Sequence, residues 1–249
     1  WQADTVYHQQ RPRNFYATSK PVYGERDRRK RETADMVFFW MGQTESLDGV
    51  KNVDKFAEAY SEQIAQMSNY TRRIVLVTPV PFSEVSHLDL DIEQRNQSLA
   101  VYVDAIKEIG RAKKLPVVDL FSEFASKKNT ETWSGNGLLL SPGGHWLATE
   151  AFAKELGFAH RVSFVRRRTG DSTLLPASVE SLRQAIEQKN TLWTAYWRPT
   201  NWAFLYGNRQ SQPSSRDHKD REQRWFPEEV LSILPLIEEA ERGINEHKK

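Results

Sequence analysis

Cysteine is absent from the 249 residues. That excludes disulfides, thiol nucleophiles and thiolate-held metals, and it leaves the compartment open. No run of about 18 apolar residues occurs, so no membrane-spanning helix is expected. An excess of one charge is missing too. The 35 Lys and Arg against 33 Asp and Glu leave +2, which removes a global electrostatic case for nucleic acid or an anionic membrane. The chain contains no G-x-G-x-x-G, P-loop, H-E-x-x-H or EF-hand spacing, so neither a nucleotide cofactor nor a metal is expected. Internal repeats and low-complexity tracts are also lacking. The first residues, "WQADTVYHQQRP", have no signal-peptide core, and an opening on Trp1 instead of Met reads as a cut or processed end.

The chain does contain alternating apolar runs and amphipathic stretches. A polar segment with the basic run Arg26 to Arg31 comes first and reads as a solvated loop, not a phosphate patch. "DMVFFWM" at 35–41, "RIVLVTP" at 73–79 and "PVVDLF" at 116–121 are short, nearly continuous apolar runs, as in strands buried on both faces. Between them, 54–69 carries Phe56, Tyr60, Ile64 and Met67 at helical spacing. The stretch 92–113 does the same with Leu99, Tyr102, Val103, Ile106 and Ile109. A Gly-rich loop then enters a helix holding Trp146, Leu147, Ala151, Phe152 and Leu156. This alternation predicts a parallel sheet with helices on both faces. A ligand would bind beyond the carboxyl ends of the strands. That places "GQTESLDG", "PVPFSEVSH" and the loop before His145 at any site.

The character changes near residue 160. The pattern predicts an α/β domain over 1–159 and an aromatic-rich, mainly helical extension over 160–249. Within the extension, 160–178 reads as a short hairpin or an irregular excursion. A helix should follow Ser178, and a last helix should carry Pro227 in its first turn and a kink at Pro235. The aromatics Trp193, Trp197, Trp202, Trp225, Tyr196, Phe204, Tyr206 and Phe226 read as packing for this extension more than as a sugar-stacking surface.

Three blocks of the chain, in order, resemble the SGNH (GDSL) hydrolase superfamily of esterases. "WQADT" is similar to the block whose Gly N–H serves the oxyanion hole, with Ala3 in that place. "MGQTESLDG" resembles Gly-x-Asn-(Asp/Glu), with Gly42 and Glu45 matching and Thr44 at the Asn position. "NGLLLSPGGHWLA" resembles the Asp-x-x-His block, with Asn136 at the Asp position and Leu139 at the His position.

The resemblance implies a flavodoxin-like three-layer fold, incomplete here, with three strands expected. The nucleophilic Ser block would precede Trp1 and lie outside the sequence. It also implies a small O-ester substrate, acetyl or carbohydrate ester, no cofactor, and an extracytoplasmic (periplasmic or secreted) location. The edge formed by "VFFWM" should be exposed, or covered by residues 1–34 or the extension.

Such hydrolysis needs a hydroxyl nucleophile, an imidazole base, a carboxylate to orient it and oxyanion donors. Leu139 cannot accept a proton, and Asn136 cannot stabilise an imidazolium electrostatically. Thr44 keeps a donor hydroxyl. Of the six histidines, His145 aligns with a structural helix-entry position. His87 follows the second strand. His218, beside Ser214, Ser215 and Asp217, is the candidate substitute base, although a Ser-Arg-Asp-His run commonly forms a turn. Glu45 and Asp48 read as acidic residues at a helix start, with a general acid/base pair or a cation ligand as the functional alternative. Two functions remain open, an SGNH-type ester hydrolase and a non-catalytic binding or scaffolding module on the same fold. The sequence specifies no oligomeric state.

Overall fold

The computed structural model describes residues 35–69, 71–85, 89–127, 133–168, 173–197, 199, 202–205 and 209–246. Ala3, the basic run 26–31, His8, His87 and His247 lie outside the described residues. The chain divides into two compact units, Trp1–Phe164 and Val165–Lys249.

In the first unit a parallel sheet has the order β1-β2-β3, with β1 at Val37–Trp40, β2 at Ile74–Val77 and β3 at Val117–Val118. Helices α1 (Val53–Met67) and α2 (Ile92–Lys113) follow β1 and β2. After β3 come α3 (Leu120–Ser126), α4 (Pro142–Glu155) and the short α5 (Ala159–Val162). The architecture is α/β with three parallel strands, as the alternation of runs implies.

β2 explains why its sequence reads as an unbroken apolar run. Ile74 and Leu76 join Phe39, Phe56, Tyr60, Tyr102 and Ile106 on one face. Val75 and Val77 join Val118, Leu120, Phe124, Trp133 and Ala151 on the other. A strand buried on both faces has no solvent side to alternate with.

β1 lies at the edge, and its two faces differ. Phe39 is buried, and its carbonyl also accepts the Tyr60 hydroxyl at 3.2 Å. Phe38 and Trp40 remain 45% and 44% exposed, touched by the Phe152 ring at 5.5 and 6.3 Å between centroids. Val37 N–H donates to Arg73 O at 2.8 Å. In a parallel ladder the backbone groups of Val37 and Phe39 therefore face β2, and those of Phe38 and Trp40 face away. No strand pairs with them among the described residues.

The third strand is shorter than its apolar run. Asp119 accepts the Ser122 N–H at 3.1 Å and caps α3, so the chain turns helical where "DLF" could have extended the strand. Asp119 also accepts the Thr78 hydroxyl at 3.1 Å and pairs with Lys107 at 2.5 Å. Burial alone would raise its pKa. The hydrogen bonds from Lys107 and Ser122 outweigh that and hold it below the ordinary carboxylate value.

In the second unit β4 (Arg166–Arg167) and β5 (Leu174–Leu175) form an antiparallel pair, followed by α6 (Ala177–Trp197) and α7 (Trp202–Leu205). Helices α8 (Trp225–Leu231) and α9 (Ile233–Glu246) close the chain. Tyr196, Leu205, Val230 and Ile237 are its buried cluster, with Leu192, Phe226, Ile233 and Leu234 packed around it. Glu180 accepts the Leu174 N–H and binds Arg183, whose hydrogen bond is the main force lowering its pKa to about 2.

One expectation is corrected here. Instead of one helix kinked at Pro235, two helices meet at Ser232. The break puts Pro235 in the first turn of α9, where the missing N–H is one of those that have no partner within the helix.

Candidate functional site

Beyond the carboxyl ends of the strands, three loops emerge and are tied to one another. The first begins at Gly42, whose φ of +114° suits glycine. Its N–H donates to Glu45 Oε2 at 3.0 Å, and Glu45 is buried. Glu45 opens the 3-10 turn Glu45–Asp48. The pair Glu45 and Asp48 is thus divided by environment, one carboxylate buried and the other exposed. Burial pushes the nearby Tyr60 phenol far up, and the Glu45 charge adds to it. Ser46 Oγ donates to Gln43 O at 2.7 Å, and Thr44, between these anchored residues, is exposed.

The second loop is held from both sides. Gln43 Nε2 donates to Val80 O at 3.0 Å across 37 residues of sequence. The Asn96 side chain grips both backbone groups of Phe82, at 2.8 and 3.0 Å. Thr78 Oγ1 accepts the Phe121 N–H at 3.0 Å while donating to Asp119. Ser83 N–H reaches Gly137 O at 3.4 Å, linking the second loop to the third.

The third loop is a closed turn. Ser134 and Leu140 form an antiparallel bridge, and Ser141 N–H donates to Trp133 O at 2.7 Å. Inside the turn, Asn136 Oδ1 accepts the Leu139 N–H at 2.7 Å, the Leu138 N–H at 3.1 Å and the Ser134 hydroxyl at 3.4 Å. A carboxamide oxygen has two lone pairs, so three donors occupy it fully. The turn displays Leu138 and Leu139, 51% and 57% exposed. Ser141 Oγ then accepts the Gly144 N–H at 3.1 Å and caps α4. Gly144 fits because a Cβ there would lie 2.3 Å from Trp133 O.

Of the sequence-derived residues, Gly42, Thr44, Glu45, Asn136 and Leu139 all lie on these loops, which the Gln43 and Ser83 hydrogen bonds join in series. His145 is exposed in the first turn of α4. His218 belongs to the second unit, exposed on a turn. There Ser215 is buried and donates to Gln210 O and Gln212 O, and Asp217 Oδ1 accepts Lys219 N–H at 2.7 Å and Asp220 N–H at 2.9 Å. The Asp220 and Lys219 N–H groups are the main causes that lower the Asp217 pKa, ahead of the His218 charge. Among the extension aromatics, Tyr196 is buried, whereas Trp193 and Trp225 are exposed. No cluster of three His, Cys, Asp or Glu that could hold a metal occurs among the described residues. No helix among them is long and apolar enough to cross a membrane.

Sequence reading misses Gln43, Asn96 and the Thr78–Asp119 link. Asp119 carries a signal, a capping residue three positions before Ser122. Gln43 and Asn96 carry none, because their partners are set by the fold.

No protein-family model matches the sequence, and no curated protein does. Among solved structures, the chain is similar to Axe2, an acetylxylan esterase from Geobacillus stearothermophilus, at 19% identity and a TM-score of 0.46, over 62% of this chain and 68% of that one. It is also similar to LAE5, an alpha/beta hydrolase enzyme from the metagenome of Lake Arreo, Spain, at 16% identity and a TM-score of 0.45, over 62% and 69%. The α/β architecture stands on the strand pairing itself, and these likenesses add no residue to the site.

Proposed function

We propose that the protein is an SGNH-type hydrolase-like chain, built for an acetyl or carbohydrate O-ester, whose usual Ser-His-Asp chemistry does not run on these residues. In this reading the nucleophilic Ser block is not among these residues. On the binding side Thr44 is the exposed group, with Gly42 and Glu45 bonded to each other and holding its loop, and Ala3 is taken for the remaining oxyanion position. Asn136 and Leu139 stand where the orienting acid and the base would be.

One observation carries the reading. The Asn136 oxygen is turned into its own loop and saturated, so it has no lone pair left to orient an imidazole. The exposed Leu139 beside it has no proton-accepting atom. The same pair favours a second reading, a non-catalytic binding or scaffolding module on this fold.

Hydrolysis of p-nitrophenyl acetate by residues 1–249 and by the His218→Ala variant tests this. Both are expected to match the buffer rate, since loss of Ser or His alone costs on the order of a million-fold in turnover. Saturable turnover abolished by His218→Ala would establish His218 as a base and overturn the proposal. The same assay on the full-length protein separates the two readings. Turnover that a Ser→Ala change abolishes supports the hydrolase, and none supports the module.

A further inference from the structure

We draw no further inference here: the strongest candidate, the outer edge of β1, where the half-exposed Phe38 and Trp40 and their outward backbone groups meet no partner strand among the described residues, carries nothing because the structure does not show what covers it.

Discussion

Asn136 and Tyr60 each hold a polar atom in a fixed relation to the backbone, and each yields a measurable consequence. Asn136 closes a turn whose two leucines face solvent. Replacing it with Ala frees the Leu138 and Leu139 N–H groups and should cost about 1 kcal/mol. Asn136→Asp keeps an acceptor and should cost less. Amide exchange at Leu138 and Leu139, with denaturant midpoints, distinguishes the two variants.

Tyr60 keeps its proton in the folded state well above the pH at which a free phenol loses it. A folded-state pKa above the unfolded value means that stability falls as pH rises beyond about 10, because the unfolded chain then releases a proton that the native one retains. At neutral pH Tyr60→Phe should cost about 1 kcal/mol, from the lost bond to Phe39 O. That deficit should shrink between pH 9 and 11. A pH-independent deficit in urea unfolding would contradict the assignment.

Whole elements depend on short polar signals. α2 is legible in the sequence because Leu99, Val103 and Ile106 repeat along one face, and the structure adds the Asp91 cap, which accepts the Gln94 N–H at 2.8 Å. β2 is legible because it is buried on both sides. β3 is overread, since hydrophobicity continues past Val118 while the hydrogen bonding switches at Asp119. The third loop is legible because its turn is local. Gln43 to Val80 and Asn96 to Phe82 are not, because no periodicity encodes which distant carbonyl an amide will meet.

Asp119 anchors α3 to α2 through Lys107 and to the loop after β2 through Thr78, so Asp119→Ala should destabilise by about 1–2 kcal/mol near neutral pH. Its folded pKa lies below the unfolded value of about 3.9. The stabilisation is therefore present above that pH and is lost as pH falls through the folded pKa. Thermal melts of wild type and Asp119→Ala should differ at pH 6, and the difference should shrink as the pH falls below about 4.

On the scale of the molecule, β1 gives the sheet an edge with no proline, no lysine and no charge along "VFFW". Natural sheets usually blunt such edges, because outward amides beside apolar rings template pairing between chains. Phe38→Lys should cost about 1 kcal/mol, mainly from the Phe152 ring contact, read as a shift of the urea midpoint. A midpoint equal to that of wild type would show that the contact contributes nothing.

The register of the sheet also governs how the chain can find its fold. Val37 pairs with Ile74, and Leu76 with Val117, so each ladder closes a loop of about 40 residues, an entropic cost that falls before the first bond forms. Helices grow on a sub-microsecond scale, and here α1 and α2 occupy about half of the returning segments. Refolding of the first unit should therefore be slowest at the return of β2 to its two neighbours, and a probe inside β2 should report that step.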